Sequence, residues 1–391
     1  MGGAYSDARK NVEIIVGSLS AMATGKKVWW PQRGVATLED FDIPHPKAGE
    51  VLLEAAISLF NAGSETAFLY GLPNTPSAEK SAPRKAELRG GFRSGWESLG
   101  WRSGDDFFPR APESGSIAGV VMEVGEGVTS VQVGDRVQVG IQPHASHAAV
   151  VAEKVNRIPD DVSFQEAVFA APAHTALFGV QKAVIQLGES VAVVGLGQIG
   201  IAAVQFARLN GARPVIGIDL AEKRLAVAAG CGAAHTLNAR APDFEEHLYD
   251  ITNGAGVNVV IDASGSANAL LVDFRVAARF GRVVIVGSPR GITEQVNFYP
   301  DVVWKNLFII GANVSGAAPD IGYHLVPSQF GISTSRQQRD LIFRLLAEGD
   351  INFKDMVAAC MTLSHQDVQE AYRVAHEERD RALNVILDWT S

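Results

Sequence analysis

The chain has 391 residues, of which 47% are apolar and 20% are charged, and its formal net charge at pH 7 is −9. This length and composition predict a globular protein of about two domains. The acidic balance argues against a general nucleic-acid or anionic-membrane surface, so we expect neither among its partners. Two cysteines are too few for a disulfide framework, and no apolar run is long enough to span a bilayer, so we expect a cytoplasmic protein.

The first part of the chain has a β pattern. Residues 1–25 are interpreted as an N-terminal extension, and residues 59–71 predict a loop that enters a short helix. Short apolar runs separated by turn glycines are typical of a partly open β-barrel. The predicted strands are 27–30, 36–41, 50–58, 116–124, 135–139 and 148–155.

A predicted helix at 163–187 leads into the stretch around which the chain is organised. Ser163 is its expected N-cap, and Glu166 completes a capping box. Residues 190–219 follow and read SVAVVGLGQIGIAAVQFARLNGARPVIGID. They predict a buried strand, a glycine turn, an apolar helix and a second strand that ends on Asp219.

The glycines of this stretch have separate tasks in a dinucleotide-binding unit. Gly195 allows a tight turn, Gly197 lets the backbone approach a pyrophosphate, and Gly200 lets helix and strand pack closely. The helix N-terminus offers free N–H groups to the phosphates. Asp219 can accept hydrogen bonds from the adenosine ribose. Because the glycines lie in a strand–turn–helix–strand context that ends on an acid, the stretch predicts a bound dinucleotide.

Strands and helices alternate after Asp219, which predicts a doubly wound parallel sheet. The last part of the chain returns to a mixed pattern. The predicted elements are helix 222–229, strand 257–262, helix 267–280, strands 282–286 and 307–312, helix 337–348, a mixed stretch at 353–363, helix 365–376 and strand 382–387.

Several segments resemble the medium-chain dehydrogenase/reductase superfamily, between about residues 26 and 389. They are GEGV at 125–128 running into VGDRV at 133–137, LGES at 187–190, VGLGQIG at 194–200, VIDASG at 260–265 and GRVVIVG at 281–287. Residues 172–180 are most similar to the zinc-lacking branch that includes bacteriochlorophyllide dehydrogenase-like proteins.

The resemblance implies an α/β fold with a split catalytic domain. A Rossmann doubly wound parallel sheet, residues 179–335, would bind NAD and be inserted in a GroES-like partly open β-barrel catalytic domain. That catalytic domain would comprise residues 26–178, with 336–391 returning to it, and the active site would lie in the cleft. Beyond the glycines and Asp219, the resemblance implies cofactor contacts from Gln198, Ile199, Leu220, Arg224, Ala263, Ser264, Val286, Gly287, Ala312 and Asn313.

The positions at which many members of this superfamily bind zinc have changed. The Cys of a Cys-Gly-Ser/Thr-Asp motif corresponds to Ala62, the Gly-His-Glu segment to Gly115 and Ser116, and a Cys or Glu ligand to Ala171. A catalytic zinc needs three protein ligands, and none of these residues can serve. We therefore expect no zinc and no other metal.

Without a metal, side chains must handle the proton. Ser64 stands where zinc-dependent relatives have their proton-relay hydroxyl, although it could also be a loop or N-cap serine. His174 directly precedes Thr175 on the helix that passes the nicotinamide in the family, and it is either a general acid–base or a packed helix histidine. Asn61 and Tyr70 are candidates for lining the substrate cleft.

Other reactive side chains are expected to have supporting roles. His144 and His147 flank a turn, so we expect them at the surface or behind the residues that touch substrate. Cys231 and Cys360 are expected to be buried structural thiols.

Residues 72–111 form an insert that is longer than the family usually has. One hypothesis is a lid that grips a bulky, anionic substrate, with Arg93 as a substrate-binding residue. The alternative is a solvated loop or a dimer contact, because acidic residues balance the charge. The insert contains Arg84, Arg89, Arg93, Arg102, Arg110, Trp96, Trp101, Glu87, Glu97, Asp105 and Asp106.

The nucleotide and the oligomeric state are predicted from short segments. Asp219 favours NAD over NADP, because a carboxylate repels a 2′-phosphate, while the basic Lys223 and Arg224 leave NADP open. Strand 307–312 would be an exposed apolar edge in a monomer, and by resemblance it is the edge through which a homodimer forms.

These inferences favour an NAD-dependent, zinc-independent alcohol dehydrogenase or ketoreductase. Its small-molecule substrate would be a sugar-like, cyclitol-like or natural-product-like secondary alcohol or ketone. Two alternatives stay open: an enoyl or quinone reductase, and a nucleotide-binding protein of the same fold that performs non-redox chemistry or only binds.

Overall fold

The computed structural model of the protein describes residues 24–72, 107–112, 115–314, 334–378 and 380–391. Predictions for residues 1–23 and for most of the insert, including Arg93 and the lid, lie outside the described residues. The strands are β1 Thr24–Gln32, β2 Val35–Asp42, β3 Glu50–Leu59, β4 Gly115–Val124, β5 Arg136–Gln142, β6 His147–Val151, β7 Asn156–Arg157, β8 Val191–Val194, β9 Val215–Asp219, β10 His235–Asn238, β11 Val257–Asp262, β12 Ala277–Ile285, β13 Phe308–Gly311, β14 Met361–Ser364 and β15 Val385–Asp388. The helices are α1 Ala62–Tyr70, α2 Phe164–Ala167, α3 Ala170–Ala183, α4 Gln198–Leu209, α5 Glu222–Gly230, α6 Phe244–Ile251, α7 Ala269–Val276, α8 Ser335–Glu348, α9 Lys354–Ala359 and α10 Val368–Glu377.

One sheet is parallel throughout. Its strand order within the described residues is β10-β9-β8-β11-β12-β13, and each neighbouring pair is parallel. The central strands β8 and β11 are almost entirely buried and rich in valine, as strands covered on both faces are. The chain winds outward from β8 to one edge and then from β11 to the other, so the strand order reverses between them. Ligands of such sheets bind at this reversal, beyond the carboxyl ends of the strands.

The other large sheet is mostly antiparallel and combines both ends of the chain. Strand β3 pairs with β4, β6 and β15, and β14 pairs with β15 in parallel. The last strands of the chain are therefore built into the sheet that the first part forms. The fold class is the predicted one, whereas the domain boundaries proposed from the sequence stay predictions.

The two sheets share a core through α3. This helix packs against α4 and β12 of the parallel sheet and against β5 of the antiparallel sheet. Gly179 allows the closest of these approaches, because a Cβ there would collide with the side chain of Val286. A continuous set of buried apolar residues runs through both contacts. The cleft between the sheets therefore has a packed floor.

The predicted helix at 163–187 is wrong in its extent. The Ser163–Glu166 capping box is present, but the helix it opens ends after one turn, and a second helix begins at Ala170. Pro172 explains the break, because a proline is tolerated in the first turn of a helix but not in its interior. The second helix ends at Ala183, where Val184 takes a left-handed conformation with φ 49°.

Two further predictions of element bounds are corrected. The predicted helix 267–280 spans only Ala269–Val276, because Ala277 pairs with Val257 and begins β12. The final strand begins at Val385, later than predicted. Strand β10 and helix α6 were not anticipated. None of the helices in the described residues combines the length and apolar character that crossing a bilayer requires.

Candidate cofactor and substrate site

The glycine turn after β8 has the geometry of a phosphate-binding turn. Gly195 has φ 84°, and a Cβ there would collide with the backbone of Ser264. A Cβ on Gly200 would collide with the carbonyl oxygen of Gly195, so α4 lies close against the turn. Around Gly197, no heavy atom of the described residues lies within 4 Å of a Cβ position. The backbone at Gly197 is therefore open to an incoming group.

Helix α4 begins beside this opening with an uncapped first turn. Its N-cap is Gly197, which has no side chain to accept hydrogen bonds from the first amides. The free N–H groups and the positive end of the helix dipole suit a phosphate. Both features favour a pyrophosphate at this helix start.

Asp219 ends β9 and is held by backbone amides. Its Oδ2 accepts the N–H of Leu196 at 2.6 Å, and its Oδ1 accepts those of Leu220 at 2.7 Å and Ala221 at 3.0 Å. A carboxylate has about four acceptor sites, so one remains for a ribose hydroxyl. Arg224 Nη1 lies 3.8 Å from Asp219 Oδ2. The carboxylate and the guanidinium therefore lie side by side at the ribose end of the site.

Two cavities meet over the carboxyl ends of the parallel strands. The first, of about 600 Å³, is the nucleotide cavity, and it extends over β8 and β9. The second, of about 510 Å³, is the reaction cavity, and it lies between α1, α3 and the end of β12. Of the predicted cofactor residues, the nucleotide cavity is lined by Gly195, Gly197, Gln198, Ile199, Asp219, Leu220, Arg224, Ala263 and Ser264.

The reaction cavity brings together residues from both parts of the chain. Ser64 and Asn61 line it from α1 and the preceding loop, and Thr175 lines it from α3. Val286, Gly287 and Asn313 line it from the parallel sheet, and their cofactor contacts stay predictions. Ala312 is buried and lines neither cavity.

Two predicted residues lie elsewhere. His174 is half-buried on α3 and lines neither cavity. Tyr70 lies at the end of α1, where its ring stacks on His376 at 4.1 Å, and it also lines neither cavity. Their catalytic and substrate-binding roles stay predictions.

The C-terminal segment closes one side of the nucleotide cavity. Asn384, which is 3% exposed, donates from Nδ2 to the carbonyl oxygen of Phe60 at 2.7 Å and to Oε1 of Gln198 at 2.6 Å. Its Oδ1 accepts the N–H of Val385 at 2.9 Å. One buried amide thus joins the loop before α1, the phosphate-binding turn and β15. Sequence reasoning missed it, because a single Asn near a strand start carries no local signal.

Arg290 is a second residue that sequence reasoning missed. Among the described residues that line the reaction cavity, it is the one ionisable side chain. Its Nη2 lies 3.5 Å from the carbonyl oxygen of Gly63, and burial lowers the pKa of its guanidinium. It follows the GRVVIVG segment by three residues. Its position just beyond the end of a predicted strand could therefore have identified it as a site residue from the sequence.

A pair of buried carboxyl groups lies next to Ser264, which lines both cavities. Asp262 ends β11, is fully buried and accepts the N–H of Ser264 at 2.7 Å. Burial raises its pKa, and burial together with the nearby Asp262 raises the pKa of Asp273 well above the usual value. Like-charged carboxylates cannot both ionise in such a place, so the pair retains a proton.

The positions that correspond to zinc ligands are filled by other groups. Ala62 lines the nucleotide cavity, and a Cβ on Gly115 would lie 2.6 Å from Cε1 of His144. The imidazole of His144 therefore occupies the space that a side chain at residue 115 would need. Of the two locations expected for His144, the surface is wrong, because the side chain is fully buried, whereas a location behind the residues that touch substrate stays open.

His144 belongs to a group of buried side chains, Glu65, His144 and Tyr372, called here the Glu65 cluster. His144 Nε2 lies 3.0 Å from Glu65 Oε2, and the Tyr372 hydroxyl donates to the same oxygen at 2.6 Å. Burial raises the pKa of Glu65, but His144, Tyr372 and the Asn61 amide outweigh it, so the pKa lies below the usual value. The carboxyl group is therefore ionised. Burial and Glu65 raise the pKa of Tyr372, which keeps its proton.

The second nitrogen of His144 is also engaged. Nδ1 lies 2.8 Å from the hydroxyl of Ser58, which accepts the indole N–H of Trp389 at 2.9 Å. Because the ionised Glu65 can only accept, Nε2 carries a proton, and the Ser58 hydroxyl is free to donate to Nδ1. Both imidazole nitrogens thus have hydrogen-bond partners and neither is available to a metal.

The parallel sheet, its open glycine turn and the adjoining barrel-like sheet define a dinucleotide-binding protein with a cleft between two sheets. The sequence model of a family described as zinc-binding dehydrogenase matches residues 199–322. D-guloside 3-dehydrogenase of Escherichia coli (strain K12) is 29% identical over 284 residues, which are 70% of this chain and 78% of that protein. Sorbitol dehydrogenase of Bacillus subtilis (strain 168) is 35% identical over 132 residues, 34% of this chain and 37% of that protein.

Solved structures show the same fold. An oxidoreductase/dehydrogenase of unknown specificity from Escherichia coli superposes with a TM-score of 0.71 at 19% identity, covering 94% of this chain and 99% of that one. A short chain alcohol dehydrogenase from Escherichia coli CFT073, complexed with NADH, superposes with a TM-score of 0.69 at 20% identity and the same coverage. The family model, the relatives and the solved structures together support the medium-chain dehydrogenase/reductase superfamily, and the predicted fold class is confirmed.

The zinc that the family description implies does not fit the residues of this chain. The corresponding positions hold Ala62, Gly115 and Ala171, which have no ligating atom in their side chains. The described residues contain no group of three His, Cys, Asp or Glu side chains placed to hold a metal ion.

Proposed function

We propose that this protein is a zinc-independent oxidoreductase that transfers a hydride between NAD(H) and a secondary alcohol or ketone. The observation that supports this most directly is the continuity of the two cavities. Asn61, Ile199, Ala263 and Ser264 line both of them. A dinucleotide whose adenosine half lies by Asp219 would therefore extend its other half into the reaction cavity.

The residues of the nucleotide cavity fit NAD. The open backbone at Gly197 and the first turn of α4 would hold the pyrophosphate, and Asp219 would accept a ribose hydroxyl. When bound, the nicotinamide supplies the hydride chemistry, while the protein positions and polarises the reactants. NADP is the less favoured nucleotide, because its 2′-phosphate would meet the Asp219 carboxylate.

Proton transfer falls to hydroxyl groups of the reaction cavity. Ser64 and Thr175 line it from opposite parts of the chain. We assign Ser64 to the substrate oxygen, where its hydroxyl would relay a proton: during oxidation it accepts the proton of the alcohol while passing its own to solvent water, and during reduction the transfer runs in reverse. Thr175 would keep the reacting carbon beside the nicotinamide. His174 lines neither cavity, so we rank it after Ser64 as the candidate for proton transfer.

The substrate class is inferred from cavity chemistry and relatives together. Asn61, Ser266, Asn268, Ser288 and Asn313 give the reaction cavity several uncharged hydrogen-bonding groups, which suit a polyhydroxylated molecule. The relatives include D-guloside 3-dehydrogenase, sorbitol dehydrogenase and erythritol/L-threitol dehydrogenase. We propose a sugar-, cyclitol- or natural-product-like secondary alcohol or ketone, and membership of the zinc-lacking branch.

A homodimer through β13 belongs to the same proposal. β13 is the last strand of the parallel sheet, and Phe308 is 60% exposed there. Tyr299 and Trp304 are exposed on the segment that precedes it. A second copy would cover this apolar edge. A monomeric mass in solution would contradict the dimer. The cytoplasmic location stays a prediction.

The experiment is a substrate survey, in which the protein is incubated with NAD and a panel of polyols, glycosides and cyclitols. The formation of NADH is monitored by its absorbance band. We expect NADH to form with at least one member and the product to carry a new ketone. Reduction of conjugated C=C bonds by NADH instead would favour the enoyl or quinone reductase. Tight NADH binding without turnover of either class would favour a non-redox or binding role.

A further inference from the structure

The Glu65 cluster lies directly behind the turn that carries Ser64. Glu65 is the residue after Ser64 on α1, and its Oε1 accepts the N–H of Asn61 at 2.8 Å. The N–H of Ser64 in turn donates to the carbonyl oxygen of Asn61 at 3.0 Å. The backbone that aims the Ser64 hydroxyl into the reaction cavity is therefore bonded to the buried carboxylate.

Aromatic packing holds the same turn from the other side. The ring of Phe60 stacks on the imidazole of His144 with centroids 4.7 Å apart, and it meets the Tyr372 ring edge-on at 4.6 Å. Phe60 is fully buried and immediately precedes Asn61. Residues 60 and 61 are thus fixed by packing and by hydrogen bonding to members of one cluster.

The cluster joins distant parts of the chain at the place where relatives would bind a metal. Glu65 comes from α1, His144 from the loop between β5 and β6, and Tyr372 from α10. A metal centre fixes the groups around it by bonding to several elements at once. Here, hydrogen bonds to the Glu65 carboxylate connect the elements, and the imidazole fills the space over Gly115.

We propose that the Glu65 cluster takes the structural place of a metal centre: it positions the Asn61–Ser64 turn so that the Ser64 hydroxyl meets the substrate oxygen. Glu65, His144 and Tyr372 are positioning residues and do not touch the substrate. This inference rests on the proposed function for the role of Ser64. The link between the cluster and the turn rests on contacts within the chain alone.

The test uses Glu65→Gln and Tyr372→Phe. A glutamine has one carbonyl oxygen for the three donors that now meet the carboxylate, so at least one of them loses its partner. Tyr249→Phe is the matched control, because Tyr249 donates a comparable hydrogen bond to the carbonyl oxygen of Arg275 at 2.8 Å, far from the cleft. Amide hydrogen exchange is measured by mass spectrometry over residues 61–70 and 195–219, and NADH affinity by fluorescence.

We expect exchange over residues 61–70 to rise at least about tenfold in both cluster variants, as for a local opening that becomes easier by 1.4 kcal/mol. Exchange over 195–219 and NADH affinity should stay at the wild-type level, and Tyr249→Phe should change neither segment. With a substrate, kcat should fall about 10²-fold while the KM for NAD is unchanged. Unchanged exchange over 61–70, or an equal rise over both segments, would overturn the proposal.

A second set of substitutions tests whether the imidazole of His144 occupies the space beside Gly115. Gly115→Ala should lower Tm in the wild-type protein, because its Cβ meets the imidazole of His144, but not in a His144→Ala background. Equal losses of Tm in both backgrounds would show that His144 does not occupy this position. Neither the hydrogen-exchange measurement nor the Tm measurement requires turnover. A protein that transfers no hydride would therefore refute the proposed function, while these two measurements would still decide the role of the Glu65 cluster.

Discussion

Asn384 donates a 2.6 Å hydrogen bond from Nδ2 to Oε1 of Gln198, and so ties the C-terminal segment to the first turn of α4. The same nitrogen reaches the carbonyl oxygen of Phe60. The loop before α1 and the phosphate-binding turn are therefore held at a fixed separation by one buried side chain. Asn384 also lines the nucleotide cavity, so the shape of that cavity depends on a side chain of the C-terminal segment.

Asn384→Ala should weaken NADH binding about thirtyfold, since the two hydrogen bonds that Nδ2 donates, worth about 1 kcal/mol each, are lost where the cofactor site is assembled. Asn384→Asp should weaken it further, because the donors become acceptors and a negative charge appears near the pyrophosphate. Fluorescence titration measures both. Asn156→Asp is the matched control, because Asn156 is also buried and hydrogen-bonded but lies outside both cavities. Equal affinity in wild type and Asn384→Ala would contradict this account.

Asp219→Asn should shift nucleotide preference toward NADPH. The substitution removes the charge that opposes a 2′-phosphate and keeps one oxygen for the backbone amides, while Arg224 stays at the same end of the site. We expect the ratio of NADH to NADPH affinity to fall at least about tenfold, equivalent to 1.4 kcal/mol. Titration with both nucleotides measures the ratio. A wild-type protein that binds NADPH more tightly than NADH would refute the assignment of NAD.

Ser64→Ala should lower kcat by about 10²–10⁴-fold, the usual contribution of a group that transfers a proton. The KM for NAD should be unaffected, because Ser64 lines only the reaction cavity. Ser64→Thr keeps the hydroxyl and should retain most of the activity, and Ser130→Ala on the surface should match wild type. Steady-state kinetics with a substrate from the survey supplies the values. If Ser64→Ala is as active as wild type, His174 becomes the first candidate for the proton.

The Asp262–Asp273 pair should make stability fall as pH rises. The pKa of Asp273 in the folded protein lies well above that of the unfolded chain, so the folded state binds more protons between the two values. The stabilisation is complete below the ordinary Asp pKa of about 3.9 and is lost as pH rises through the raised value. Asp273→Asn removes this titration and keeps a polar side chain of nearly the same size.

Urea unfolding of wild type and Asp273→Asn across a pH series checks this. As pH rises within that window, the free energy of unfolding of Asp273→Asn should increase relative to that of wild type by up to about 1.4 kcal/mol per pH unit. Asp161→Asn is the control, because the Asp161 side chain is exposed. A difference that does not change with pH would show that the pair holds no extra proton in the folded state.

The parts of the fold that depend on contiguous residues were predictable. The strand–turn–helix–strand unit ending at Asp219 is specified by neighbouring residues, and its glycines are required by short-range contacts. The break before Ala170 was also readable, because Pro172 marks it. The start of β12 was not, because Ala277 adopts a strand through pairing with Val257 rather than through its own neighbours.

Residues that line one or the other cavity, among them Asp219, Ser64 and Thr175, could be singled out from the sequence, but the buried side chains behind them could not. The Glu65 cluster joins residues that are 79 and 307 positions apart, and no periodicity connects them. The absence of zinc ligands at Ala62 and Gly115 could be noticed in the sequence. That His144 fills the vacated space could not, because it depends on the loop between β5 and β6 folding back over β4.

The most direct test of the central claim is isotope transfer in metal-free protein. The protein is treated with a chelator, its zinc content is measured, and it is incubated with NAD and a substrate from the survey deuterated at the carbinol carbon. We predict that deuterium appears on the nicotinamide ring, at a rate equal to that of untreated protein and unaffected by added zinc. Loss of transfer after chelation with recovery on adding zinc, or product formation without deuterium on the nicotinamide, would contradict the account.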